Sequence, residues 1–403
     1  MLKFLGFFVV ILLECSGFSI NQRNNVCKKL EYYYIRDISP DCWYDPDVTA
    51  TAYELAKNHG YKLDNYETVT EDGYILTVFR VSPKTKHCKG IVYLQHPAAS
   101  SASIWLDLGN QSLAFLLADR GYDVWLGNFR GTTYSRKHTK LKPRERKYWD
   151  FSFHEMAMYD LPAMLHLVSK KTDFRDKIIY VGHSVGTTTA FIYASLLPAN
   201  ASAYVKTFIF WSPVTFPRHV KSIPLIIMAP FADFILVTIN VYLLNSHQFP
   251  INTLIAGPDP HFSPARLPIT IYQNFAGFSL KSTVHYLQLM RDKGRFQRFN
   301  YGKVKNKKLY GSVKPPFYPL KNINVSMTLM YGGNDYCAVK KDVLYTYNNR
   351  LPKSVRCGIF EIAPYNHFDF HYATDVKDLV YQKTIDIIDR VINGTYVEMC
   401  VAD

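Results

Sequence analysis

The sequence predicts an α/β fold, with a mostly parallel central sheet flanked by helices and a large insertion near its middle. Three observations predict it. Short apolar runs alternate with helix-length segments along the first half of the chain. A G-x-S-x-G stretch, Gly182-His183-Ser184-Val185-Gly186, lies between a strand-like run (Lys177–Val181) and a helix-like one (Thr187–Ala194). Finally, strand signals lapse over residues 214–318 and then return.

In chain order, Lys3 followed by the apolar run Phe4–Leu13 and small residues Ser16 and Gly17 reads as a secretory leader, residues 1–19. Residues 48–60 read as a helix capped by Asp47, with Ala52, Leu55 and Ala56 on its apolar side. Tyr66–Thr70 and Tyr74–Phe79 flank Glu71-Asp72-Gly73 and predict a hairpin. Gly90–Gln95 and Tyr122–Leu126 are strands, with a helix over Ser112–Arg120 between them. A helix over Phe153–Ser169 leads to the strand before Ser184. The core therefore spans 20–213 and resumes over 319–403. Residues 214–318, dense in proline and aromatics, form a cap or lid inserted over the sheet. Its apolar run Ile223–Leu244 is broken by Pro224, Pro230 and Asp233, which argues against a membrane span. A mobile lid and ordinary core helices are equally good readings of it. Strands return at Asn324–Tyr331 and Gly358–Ile362.

Composition narrows the class. The chain has 403 residues, of which 48% are hydrophobic and 15% aromatic, so a large core forms. The formal net charge is +14. The basic clusters lack the pattern of a nucleic-acid module, and a leader makes that partner unsuited, so a solvated basic face is the expectation. Four N-x-[ST] sequons, at Asn110, Asn200, Asn324 and Asn393, fit a glycoprotein. Beyond the leader stand Cys27, Cys42, Cys88, Cys337, Cys357 and Cys400. Six cysteines suit disulfides, but about fifteen pairings are open.

The chemistry follows from Ser184. A serine hydroxyl becomes a nucleophile only when a base takes its proton and an acid orients that base. On a nucleophile elbow the partners follow in the order serine, acid, histidine. Asp335 sits in the turn Tyr331-Gly332-Gly333-Asn334-Asp335 after a strand, with Asp342 as the alternative acid. His367 sits in the loop Tyr365-Asn366-His367-Phe368-Asp369-Phe370 after the next strand. Both loops leave the sheet edge that carries the elbow. The backbone N–H groups of Val185 and Ala98 are the candidate oxyanion donors, since Pro97 has none. His183 is expected to pack locally. His367, Asp369 and His371 lack the spacing of a metal site, so no metal or cofactor is expected.

Several longer segments resemble the acid lipase family of animals, the gastric and lysosomal acid lipases. They are Thr70-Glu71-Asp72-Gly73-Tyr74-Ile75-Leu76, Gly127-Asn128-Phe129-Arg130-Gly131, Tyr134-Ser135-Arg136-Lys137-His138, Trp149–Ala157, Tyr159–Ala163 and Asn366–Phe370. The resemblance runs from about Asp47 to Ile392. It implies an α/β-hydrolase fold with a cap and lid before the acid residue. It also implies hydrolysis of triglyceride or sterol esters without a cofactor, and it matches Ser184, Asp335 and His367 to the triad and Ala98 and Val185 to the oxyanion donors. Where the family usually has glycine and leucine, this chain has Pro97 and Ala98. Where it commonly has glutamine, this chain has Val185. The expectation is a secreted lipase, or a lysosomal one, contacting a lipid–water interface. The alternative is a lipase-like binding or storage protein with weakened turnover.

Overall fold

The computed structural model describes residues 23–400, apart from 86, 174, 234, 236–254, 259, 274 and 397–399. Residues 1–19, read above as a leader, and the stretch 236–244 of the apolar run lie outside the described residues. Eight strands form the body of one sheet: β1 (Leu63–Val69), β2 (Tyr74–Val81), β3 (Gly90–Gln95), β4 (Tyr122–Gly127), β5 (Ile178–His183), β6 (Val205–Trp211), β7 (Ser326–Gly332) and β8 (Arg356–Ile362). Their order is β8-β7-β6-β5-β3-β4-β2-β1, and the short strand Lys137–His138 pairs with β2. From β8 to β4 all neighbours are parallel, while β1 and β2 form the antiparallel hairpin predicted around Gly73. β3, β4 and β5 are buried along their whole length, as parallel strands covered on both faces must be.

Two apolar clusters lie on the two faces of the sheet, one holding Tyr93, Tyr180 and Phe191, the other Val92, Val181 and Ile388. Side-chain alternation along β3 and β5 sends successive residues to opposite clusters. The disulfide Cys27–Cys42 joins two short paired strands, Val26–Cys27 and Cys42–Trp43, to each other, and Cys357–Cys400 ties β8 to the C-terminal residues. Cys88 and Cys337 are free thiols.

Two elements differ from the sequence expectation. The first helix, α1, covers Ala52–Asn58, and Thr51 rather than Asp47 caps it. Thr51 and Glu54 form a reciprocal capping box, which satisfies two donors at once and outcompetes a single aspartate. A 3-10 turn over Pro46–Thr49 precedes it. Asp47 binds the far end of the helix instead, through Asn58 and His59. The helix expected over Phe153–Ser169 runs to Lys171 but carries a π turn, Met156–Asp160, because Pro162 has no N–H to return to the preceding turn. That turn brings Asp160 onto Arg130, whose wholly buried guanidinium also takes Asp72 at the hairpin. This explains why Asp72, Arg130 and Asp160 occur in three separate motifs. They form one ion network in which Arg130 and Asp160 are buried and Asp72, in the hairpin turn, is at the solvent edge.

Among the described residues of 214–318, helices Ile223–Met228, Leu267–Gln273, Leu280–Arg291 and Lys303–Tyr310 dominate. One isolated bridge joins Gln297 to Phe317. No helix among the described residues is long and apolar enough to cross a membrane.

Candidate active site

Ser184 ends β5 and opens helix α2 (Val185–Leu196). Its backbone sits at φ 52°, ψ −113°, a left-handed conformation that costs an L-residue of order 1–3 kcal/mol. The surrounding packing holds it there. The Ser184 N–H donates to the Trp211 carbonyl, and the Thr187 and Thr188 N–H groups return to the Ser184 carbonyl. The flanking glycines are required by close approach. A Cβ on Gly186 would lie 2.7 Å from the Gln95 carbonyl oxygen, and one on Gly182 would lie 3.1 Å from the Gly186 carbonyl carbon. The helix start therefore packs directly on the end of β3.

His367 and Asp335 arrive from the loops after β8 and β7. The Ser184 Oγ to His367 Nε2 distance is 2.8 Å, and His367 Nδ1 to Asp335 Oδ2 is also 2.8 Å. Asp335 is buried, and its Oδ1 accepts the N–H groups of Cys337 and Ala338, both at 2.7 Å. A carboxylate accepts only, so the ring proton sits on Nδ1 and the Nε2 lone pair faces the serine hydroxyl. The structure thus brings Ser184, Asp335 and His367 together. Asp342, the alternative acid, lies elsewhere and accepts the N–H and Nδ1 of His219.

The loop carrying Ala98 is held at both ends. The Phe129 N–H donates to His96 Nε2 at 3.1 Å, so His96 Nδ1 carries the proton and donates to the Pro97 carbonyl at 2.7 Å. Beyond Ala98, Ala99 takes φ 59° and its carbonyl accepts the Ala276 N–H from the insertion. Val185 is the first residue of its helix, so its N–H has no intrahelical acceptor. His183 is buried and donates from Nε2 to the His367 carbonyl at 3.0 Å, which braces the backbone at His367. The stretch His367, Asp369, His371 does not converge. Asp369 accepts the Asn366 N–H, and His371 packs edge-on against Trp105.

Sequence reasoning missed one set of contacts. The carbonyl of Ala256, in the insertion, accepts the N–H groups of both Tyr336 and His367. The Gly257 carbonyl accepts from the Asn366 side chain. Residues 256–257 therefore bridge the loop carrying Asp335 to the loop carrying His367. No local pattern marks them, because the contact spans about a hundred positions. Gly257 has φ 112°, and a Cβ there would fall 2.0 Å from the Asn334 carbonyl oxygen. Gly257→Ala is expected to shift the Asn334–Asp335 turn and lower kcat on the order of 10²-fold, as misplacement by about 1 Å does. Steady-state kinetics on a soluble ester, with a thermal melt to confirm folding, check this.

The buried histidines set an acid limit. Burial lowers His96 and His154 to about 4 and His285 and His371 to about 3, and holds His183 well below its ordinary value. Each is neutral in the fold but takes a proton in the unfolded chain below about pH 6.5, so stability falls as pH drops from there towards 4. Three carboxyls oppose this. Burial raises Asp160 to about 6, Asp107 well above its ordinary value and Asp45 above its own, so the fold holds those protons. Five histidines against three carboxyls leave a net release of up to about two protons on folding in this window. Urea unfolding at a series of pH values should show stability declining from pH 6.5 to 4. A flat or rising profile would contradict it.

Comparison with known proteins follows the same lines. Residues 52–109 match the model of the partial alpha/beta-hydrolase lipase region, and residues 91–234 match that of the alpha/beta hydrolase fold. Among solved structures, a carboxyl esterase from Bacillus coagulans superposes with a TM-score of 0.55 at 14% identity, covering 82% of this chain and 99% of that one. A putative lipase from Acinetobacter baumannii superposes with a TM-score of 0.51 at 16% identity, covering 85% and 96%. At such identities these superpositions show the fold alone. Sequence relatives are much nearer. Lipase member K of Mus musculus is 36% identical, covering 87% of this chain and 94% of its own length. Gastric triacylglycerol lipase of Homo sapiens is 36% identical, covering 86% and 92%. Identity at this level over nearly the full length of both chains shows that this chain belongs to the α/β-hydrolase lipase family, the acid lipases that include the gastric triacylglycerol lipases.

Proposed function

We propose that the chain is an exported lipase that hydrolyses carboxylic esters of neutral lipids, triglycerides or sterol esters, through an acyl-enzyme on Ser184. The observation that carries this reading is the continuous relay Ser184–His367–Asp335, with both hydrogen bonds at 2.8 Å. His367 Nε2 takes the Ser184 proton as the oxygen attacks the ester carbonyl. The Ala98 and Val185 N–H groups receive the developing oxyanion. His367 then returns the proton to the departing alcohol, and the cycle repeats with water to release the fatty acid. Asp335 fixes the ring and balances the imidazolium charge.

The domain reading supports a lipid substrate. Residues 214–318 serve as a cap tied to the oxyanion loop through Ala276 and to the triad loops through Ala256. Its helix and following turn present Ile223, Ile226, Ile227 and Phe231 to solvent, an apolar edge suited to a lipid–water interface. Export is supported by the two disulfides, which persist in oxidising compartments, extracellular or lysosomal. Sequon residues Asn110, Asn324 and Asn393 are exposed and open to glycosylation, while Asn200 is half-buried and accepts from the Tyr193 hydroxyl.

Fatty-acid release from emulsified triolein and sterol oleate, against a short p-nitrophenyl ester, tests the reading. Turnover of at least one emulsified long-chain ester is expected. Turnover of the short ester alone would make the protein a small-ester esterase. Turnover of none would favour a binding or storage role.

A further inference from the structure

Among the described residues, one group of side chains offers metal-ligand atoms from three residues at close range: Asp335, Cys337 and His367, whose ligating atoms all lie within 4.8 Å of one another. Two of the three belong to the relay. The third, Cys337, is a free, half-buried thiol two positions after the acid, with its Sγ–H directed to the Ile255 carbonyl at 3.3 Å. Thiolate, imidazole and carboxylate together are a donor set suited to a borderline-soft divalent ion.

We propose that Asp335, Cys337 and His367 form an inhibitory site for a Zn2+-like ion, which shuts the enzyme by moving one proton. The ion takes the place of the His367 Nδ1 proton, between that nitrogen and Asp335 Oδ2. Tetrahedral bonding at about 2.0–2.1 Å to nitrogen and oxygen opens the 2.8 Å contact to ~3.3 Å, a shift that the side chains supply without moving the fold. Cys337 Sγ turns from the Ile255 carbonyl to complete three protein ligands, and water fills the fourth position. The Cys337 thiol proton leaves to solvent.

The imidazole stays neutral, and its remaining proton must then sit on Nε2. That nitrogen faces Ser184 Oγ at 2.8 Å. With a hydrogen there it donates and no longer accepts, so the serine has no base. Inhibition is therefore reversible and complete per bound ion, and needs no change at Ser184 itself. The inference rests on His367 being the base. It is distinct from a cofactor role, since the ion occupies the position the relay needs for its own proton.

The test titrates Zn2+ through the micromolar range against hydrolysis of a short p-nitrophenyl ester, for wild type, Cys337→Ser and Cys337→Ala, with EDTA reversal. Each protein is scored by its own ratio of activity with and without metal. Wild type is expected to lose activity and recover it with EDTA. Both variants should need about tenfold or more metal for the same loss, the scale on which ligand-sphere changes act. Cys88→Ser, the other free thiol, should behave as wild type. In parallel, Co2+ alone is titrated into Ser184→Ala, where a cobalt–thiolate absorption band should appear and be absent in Ser184→Ala/Cys337→Ser. That arm reads the site without turnover, so a failure of the lipase reading leaves it interpretable. Equal metal sensitivity in wild type and both Cys337 variants would overturn the proposal. So would absence of the cobalt–thiolate band.

Discussion

Ser184→Ala is expected to lower kcat on the order of 10⁶-fold while leaving the fold intact, the largest effect of any single substitution in this chain. The hydroxyl is the only atom lost. The elbow conformation is imposed by neighbours, namely the Trp211 carbonyl, the Gln95 carbonyl packed on Gly186, and the helix that begins at Val185. Alanine at φ 52° is no more strained than serine, so the thermal midpoint should hold. His367→Ala should cost about as much, and the double variant little more, because residues that act as one unit fail together. Additive losses would mean that His367 and Ser184 act independently. Kinetics on a short ester, with melting curves for all three proteins, decide it.

The second large effect is expected at Asp335, and its sign is fixed by two backbone donors. In Asp335→Asn the amide oxygen must stay on the Cys337 and Ala338 N–H groups, which only an acceptor satisfies. The amide NH₂ then faces His367 Nδ1. That ring nitrogen becomes an acceptor, the proton moves to Nε2, and the base presents a hydrogen to Ser184. The loss should be about 10⁴-fold in kcat. Asp342→Asn serves as the contrast. It breaks the pair with His219, which takes no part in the relay, and should lower the melting temperature while leaving kcat in the wild-type range. If Asp342→Asn proved the more damaging to kcat, the acid would be misassigned.

Much of this site was legible in the sequence because its parts are local. The elbow needs two small residues around a serine between a strand and a helix, all within the continuous stretch 177–194. Asp335 and His367 each follow directly on a strand whose pattern is plain, and parallel strands put their C-terminal ends on one edge. The antiparallel hairpin was legible from Asp72-Gly73 between the runs Tyr66–Thr70 and Tyr74–Phe79. One miss was local: Asp47 and Thr51 are both good caps, and the reciprocal bond of Thr51 with Glu54, three residues on, decides between them. The other misses depend on distant partners. Arg130 has no partner within its own motif, and the π turn before Pro162 delivers Asp160 to it. The brace formed by Ala256 and Gly257 has no signature, since its function is carried by carbonyl groups that any residue possesses. The disulfide pairing likewise needed three dimensions, as did the closeness of Cys337 to the relay.

The proposed mechanism stands on acylation of Ser184. Rapid-quench mass spectrometry during turnover of a p-nitrophenyl ester detects it. A burst of nitrophenol equal to the enzyme present is expected, with one acyl group on the peptide that contains Ser184. The same peptide should be modified by a fluorophosphonate, and His367→Ala should abolish both. Turnover without a burst and without acylated Ser184, or an acyl group on another residue, would contradict it.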